Sequence, residues 1–312
     1  MAEDNDYSPG TWEGYDYTSA ASAYVAPTAG RGYGTASAAE ARVAYGETVP
    51  LTISTACKRP LIIGLDRTGS YGDWREVVGK KVMYMDKEVP TYLGEDVEFC
   101  IAGIGDASDD EPLQVRPFSK GLDLVKQVTV LKDEDGFGNE AEAYSLLGLY
   151  LLRNASFAPD AKPVLIYVCD EGFHDRVEAH QAAWAHIDTK GLAVSTSDIM
   201  AELVKKFSVY VIRKPYPRAE RSVHRQWTQF LGEDRVFMLE DPKRVLDMIF
   251  GCLGLEMDMM DYFHREMTGR QTPEQCKTVF TALRTNHVGS ADGKSTMLLP
   301  GSAAAKLTRH LA

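Results

Sequence analysis

The sequence predicts a doubly wound α/β fold: a mostly parallel six-stranded sheet with one antiparallel strand, helices on both faces, and irregular extensions at either end. Three observations predict it. Short, continuous apolar runs alternate with longer stretches of helical apolar period, the pattern of strands buried on both faces between crossover helices. One pair of strand candidates is joined by only Gly105–Pro112, too short for a crossover helix, so that pair is an antiparallel hairpin. Both ends of the chain lack either periodicity.

The first strand is Leu61–Leu65, closing at Asp66 on a Gly/Ser turn, and an amphipathic stretch with Trp74, Val77, Val78, Val82 and Met83 follows it. Val97–Ile104 and Leu113–Phe118 are the second and third strands. Gly121–Val130 and Ala141–Arg153 carry helical periods around a glycine-rich acidic loop. Pro163–Cys169, Phe207–Ile212 and Arg235–Leu239 complete the strands. Between and after them, Arg176–Ile187, Ser197–Lys206, Arg218–Leu231 and Pro242–Leu253 read as helices. The α/β domain therefore spans residues 58–255. Residues 1–47 hold almost no aliphatic side chains and form a disordered or partner-ordered arm, whose spaced aromatics (Tyr7, Trp12, Tyr15, Tyr17, Tyr24, Tyr33, Tyr45) suit either a solvated tail or a docking segment. The pattern decays again after about residue 265, leaving a basic extension over 265–312.

Composition narrows the function classes. In 312 residues, 44% are hydrophobic and 25% charged, the balance of a soluble globular protein, and no apolar run is long enough to span a membrane. A net charge of −11 argues against general nucleic-acid binding. That charge is uneven: residues 1–47 set seven acids against two bases, whereas residues 265–312 set seven bases against three acids. Met1–Gly10 is acidic and polar, unlike a secretory signal. The five cysteines are scattered without a C-x-x-C pair, which fits a reducing, cytoplasmic location.

Ligands of open α/β sheets gather at the carboxyl ends of strands. Two of the most apolar strands end there in aspartate, Leu61-Ile-Ile-Gly-Leu-Asp66 and Val164-Leu-Ile-Tyr-Val-Cys-Asp170, and a third acidic loop, Asp133–Glu140, precedes a helix. After Asp66, Thr68 and Ser70 alternate along one tight turn, so three hard oxygens can face one centre, with Gly69 allowing the bend. Two carboxylates about 5 Å apart repel by roughly 3 kcal/mol at an effective dielectric of 20, which a proton or a cation relieves. With oxygen ligands alone, magnesium or a similar hard ion such as manganese or calcium suits the set. Helix caps and strand-end turns use the same residue types, but three such loops in this order favour a site.

Asp66-Arg-Thr-Gly-Ser70 resembles the D-x-[ST]-x-S signature of von Willebrand factor type A (vWA) domains, and Cys169-Asp170-Glu171 is similar to that family's later strand-end aspartate. Phe99–Asp106 with Pro112–Val115 resembles the second strand and hairpin of intracellular bacterial or phage vWA proteins, and Gly136–Glu140 with Glu142-Ala-Tyr144 resembles their glycine-rich middle loop. The resemblance implies a strand order of 3-2-1-4-5-6 and a metal-ion-dependent adhesion site (MIDAS). Its ligands would be Asp66, Thr68, Ser70, Asp170 and one middle-loop residue. That loop lacks the family's threonine, which leaves Asn139, Asp135 or Glu140 for the role. The resemblance further implies a protein-binding module, not an enzyme, whose ion captures an Asp or Glu of a partner. A MoxR-type AAA+ ATPase is the partner such proteins suggest.

Competing patterns are weaker. Thr68 stands where a haloacid-dehalogenase-like phosphatase needs a second Asp, and Gly293-Lys-Ser-Thr296 has Val288 where a P-loop needs glycine. His174, His180 and His186, six apart, face different sides of a helix. A basic run after the fifth strand, Arg213, Lys214, Arg218, Arg221 and Arg225, reads as a candidate partner-binding face or a solvated helix face. Two further functions stay open: a metal-assisted phosphohydrolase using the same acidic pocket, and an assembly protein linked through its oppositely charged ends into oligomers.

Overall fold

The computed structural model describes residues 49–82, 84–106, 113–129, 131–133, 141–217 and 219–284, together with the backbone of the strands Asn286–Val288 and Thr296–Leu298. Six strands form the central sheet: β1 (Leu61–Asp66), β2 (Phe99–Ile104), β3 (Gln114–Val115), β4 (Val164–Cys169), β5 (Ser208–Arg213) and β6 (Val236–Met238). Their order across the sheet is β6-β5-β4-β1-β2-β3, the predicted 3-2-1-4-5-6 read from the other edge. All neighbours are parallel except β2 and β3, whose antiparallel register sets Ala102 against Val115 and Gly103 against Gln114. The short connection thus makes the expected hairpin.

Helices cover both faces: α1 (Trp74–Val82), α2 (Met85–Leu93), α3 (Leu122–Thr129), α4 (Tyr144–Asn154), α5 (Ala179–Trp184), α6 (Thr196–Lys206), α7 (Glu220–Leu231), α8 (Val245–Glu256), α9 (Met260–Arg270) and α10 (Pro273–Ala282). Strand residues divide between them by parity, because successive side chains of a strand point to opposite faces. Leu61, Ile63 and Leu65 of β1, Phe99 and Ile101 of β2, and Val164, Ile166 and Val168 of β4 pack under α1, α2, α3 and α8–α10. Ile62, Cys100, Ala102, Ile104, Leu165, Tyr167 and Cys169 pack under α4–α7. The four long strands are buried almost throughout, which accounts for their unbroken apolar runs.

Some elements depart from the sequence reading. Helix α2 was not anticipated, since Pro90 lies inside it and removes a backbone donor. The third strand is only two residues long, and the helix expected from Arg176 begins at Ala179, after Arg176 and Val177 have paired with Val194–Ser195. Residues 265–284, read as part of an irregular extension, continue the folded body. Phe263 and Met267 of α9 and Cys276 and Val279 of α10 are buried in the first half-core, and a capping box on Thr272 with Pro273 behind it starts α10. Their apolar positions are sparse because these helices cover an existing core from one side only. The arm 1–47 and most of the segment beyond 284 lie outside the described residues. All five cysteines are buried free thiols, and no helix among the described residues is long and apolar enough to cross a membrane.

The site depends on how closely α4 lies on the sheet. Gly64, in β1, faces α4: a Cβ there would stand 2.9 Å from both Ile104 Cδ1 and Leu147 Cδ2, and 3.1 Å from Tyr167 Cδ1. Gly64→Val should therefore push α4 away and lower the unfolding free energy by about 1–3 kcal/mol, read as an earlier urea midpoint. An unchanged midpoint would show that the helix has room to spare.

Candidate functional site

The sheet's order reverses between β1 and β4: the chain winds outward through β2 and β3 on one side, and through β5 and β6 on the other. Such a switch point opens a crevice at the carboxyl ends of the two strands. Asp66 is the last residue of β1 and Asp170 the first after β4, and both are 0% exposed. The register explains their proximity, because Leu65 lies beside Val168 and Asp66 is one step further on.

The turn after β1 organises the first carboxylate. Asp66 Oδ1 accepts hydrogen bonds from the backbone N–H of Thr68 (2.9 Å) and from its hydroxyl (2.7 Å). Oδ2 accepts one from the Tyr144 hydroxyl. Thr68 Oγ1 lies 3.1 Å from Ser70 Oγ, which in turn lies 3.4 Å from Asp170 Oδ1. Asp66, Thr68, Ser70 and Asp170 therefore form one continuous oxygen cluster. The chain can return after the turn because Gly72 takes a positive φ of 57°.

The second carboxylate is the strained one. Asp170 Oδ2 is buried and accepts no hydrogen bond. Burial, then the neighbouring Asp66 carboxylate, push the Asp170 carboxyl up to about 8, with Glu171 adding to the rise and Lys214 opposing it. Lys214 Nζ stands 3.7 Å from Oδ2 and donates to the backbone carbonyls of Ser70 (2.7 Å) and Tyr71 (3.2 Å). Below the turn, the Tyr71 hydroxyl is wholly buried without a hydrogen-bond partner, and burial with the nearby Asp66 charge holds it protonated.

The middle loop joins α3 on one face to α4 on the other. Asn139 lies outside the described residues, as do Asp135 and Glu140. Both ends of the loop are fixed at the site. Arg67, buried one position after Asp66, pairs with Asp133, while Ala141–Glu142 form a short parallel pairing with Gly172–Phe173 just beyond Asp170. The N–H of Ala143 bonds to the Gly105 carbonyl (2.9 Å). Tyr144 then opens α4 and packs against Tyr167 and Trp227, whose Nε1 donates to the Glu171 carbonyl (3.1 Å). In the sequence Tyr144 belongs only to a loop resemblance; its contact with Asp66 depends on the helix's docking, which no linear spacing reveals.

The basic run divides. Arg213 is 0% exposed: it binds Glu220 (2.9 Å) and the Asp170 carbonyl (3.3 Å), so it stabilises the loop after β4 and offers nothing to a partner. Lys214 belongs to the acidic cluster. Arg221 and Arg225 are exposed on α7, and Arg218 lies outside the described residues. Treating these five as one face failed because β5 ends within the run, and parity sends Arg213 and Lys214 to opposite sides of the sheet. Of the histidines, His174 Nε2 lies 3.1 Å from Asp106 Oδ1 at the end of β2.

Among the described residues, no three His, Cys, Asp or Glu side chains come together as a metal-binding group. The cluster at the switch point offers two carboxylates and two hydroxyls. That donor set fits a hard cation, since it is all oxygen and includes a buried carboxylate atom with no hydrogen bond.

Fold and site together define a doubly wound, Rossmann-like α/β protein, and its mixed sheet fits the vWA form. No protein-family model matches the sequence, and no curated protein matches it. Among solved structures, proximal thread matrix protein 1 from the mussel byssus aligns with a TM-score of 0.43 at 12% identity, covering 66% of this chain and 49% of that one. The pilus adhesin SpaC from Lactobacillus rhamnosus GG, in its open conformation, aligns with a TM-score of 0.41 at 10% identity, covering 69% and 31%. The chain thus spans half or less of these proteins. Likeness at this level assigns no activity.

The raised Asp170 carboxyl makes stability depend on pH. In the folded chain it keeps its proton up to about 8, whereas its ordinary value is 3.8, so between these limits the folded state binds more protons than the unfolded state. Stability therefore falls as pH rises through this window, by on the order of a few kcal/mol. Thermal melts in chelator should show a lower Tm at pH 8 than at pH 5, and Asp170→Asn should flatten that slope. An equal slope in the variant would place the proton elsewhere.

Proposed function

We propose that the strand-top cluster is a MIDAS-like centre, and that the protein is a metal-dependent binding module of vWA type that captures an acidic side chain of a partner protein. Asp66, Thr68, Ser70 and Asp170 would hold the ion, with Asn139 as the middle-loop contributor. Magnesium is the first choice, manganese or calcium the alternatives, because every donor is a hard oxygen. The observation that carries this reading is the meeting of Ser70 with Asp170, from turns a hundred residues apart, around a buried carboxylate oxygen that nothing satisfies by hydrogen bonding. When bound, the cation would offer an open position to a carboxylate from outside.

The chain's own residues prepare for this. Thr68 and Tyr144 fix the Asp66 carboxylate in one orientation, so no side-chain freedom remains to be lost there on binding. Arg67 and the pairing of Ala141–Glu142 hold both ends of the middle loop beside the crevice. A MoxR-type AAA+ ATPase presenting Asp or Glu is the partner proposed. The buried free thiols support a cytoplasmic setting.

The test uses an immobilised polyglutamate peptide as the acidic probe. The full chain should be retained in magnesium and released by chelator, and Asp66→Ala should weaken retention at least about tenfold, about 1.4 kcal/mol, while circular dichroism stays unchanged. Equal retention with and without chelator would refute the reading.

A further inference from the structure

The position of Lys214 follows from the sheet. Its backbone N–H bonds to the Cys169 carbonyl (2.8 Å), extending the β5–β4 ladder by one step and setting the lysine beside Asp170. By parity its side chain leaves on the side opposite Arg213, toward the turn after β1. There the ammonium is fixed by the Ser70 and Tyr71 carbonyls, lies 5.7 Å from the centre of the Tyr71 ring, and stands 3.7 Å from the Asp170 oxygen that accepts no hydrogen bond. Three separate groups hold one positive charge against the rim of the acidic cluster.

We propose that Lys214 is the resident counter-ion of the strand-top site, a tethered competitor that an incoming divalent cation must overcome, and hence the residue that sets the site's affinity. This inference rests on the cation-binding reading above. A monovalent charge held by its own chain offsets part of the negative charge the two acids carry once Asp170 gives up its proton, without filling the cluster. A divalent ion at Asp170 meets the repulsion of that ammonium as well as the attraction of the acids. To relieve it, the lysine must leave the Ser70 and Tyr71 carbonyls, so cation binding and release of the turn are one event. Lys214 is thus a positioning and affinity-setting residue, not an ion ligand.

The experiment titrates magnesium into the full chain by calorimetry, comparing the natural sequence with Lys214→Gln and Lys214→Arg. Lys214→Gln, which keeps donors but loses the charge, should bind magnesium at least about tenfold more tightly; Lys214→Arg, which keeps the charge, should not. Tight binding by Lys214→Gln where the natural chain binds undetectably also supports the inference. Equal or weaker binding by Lys214→Gln than by a natural chain that binds overturns it and leaves the cation site standing. No binding by any of the three overturns both. Equal tightening by Gln and Arg assigns the effect to packing and overturns the counter-ion role. If the Gln variant melts early, Lys214→Met keeps the stem over the Tyr71 ring. On the natural chain itself, the Lys214 side-chain nitrogen resonance should shift as magnesium is added, and a static resonance at saturating magnesium counts against displacement.

Discussion

The structure turns on two enclosed carboxyl groups at neighbouring strand ends. Asp66 and Asp170 end adjacent parallel strands, are both fully enclosed, and lie close enough for one to hinder ionisation of the other. Nothing in the sheet's own energetics requires them there; an apolar pair would avoid the desolvation cost. Much of the surrounding detail offsets that cost. Thr68 and Tyr144 donate to one acid, Lys214 leans toward the other, and Ser70 bridges Thr68 and Asp170. The compensation is lopsided, because Asp66 has three donors while one oxygen of Asp170 has none. That asymmetry leaves the Asp170 carboxyl the less satisfied of the two acids.

Much of the architecture was legible in the sequence because both-face burial writes itself as uninterrupted apolar runs. β1, β4 and β5 stand out for that reason, and the brevity of the β2–β3 link gave the antiparallel pair. Less legible were elements whose stability comes from docking. Helix α2 carries an internal proline, and α9 and α10 have sparse apolar positions, yet all three bury side chains in the first half-core. A linear pattern reports what a segment needs, not what its neighbours supply.

The same distinction applies to the site. Asp66, Thr68, Ser70 and Asp170 are readable because they sit at strand ends, where chain position and spatial position coincide. Tyr144 and Lys214 were not assigned to that cluster, since each reaches it across the sheet top from another element. Arg213 misled because charge runs are read along the chain, whereas a strand end distributes neighbours to different environments. Its guanidinium is enclosed by Glu220 and the Asp170 carbonyl. Arg67 is the counterpart on β1: a variable position of the motif, it proves to be the clamp on Asp133.

The alternation of strand side chains extends past the core into the ionic groups above it. Asp66 follows Ile62 and Gly64 to the α4 layer, where Tyr144 waits, while Arg67 follows Leu61, Ile63 and Leu65 to the α3 layer and finds Asp133. Even and odd positions are thus two separate addresses, and the charged residues obey the same postal rule as the aliphatic ones. A substitution within an address disturbs one contact, but losing a single residue from β1 would deliver every later one to the wrong layer. The carboxylate would then leave the layer in which Tyr144 donates to it, so this strand should vary by substitution and almost never by length.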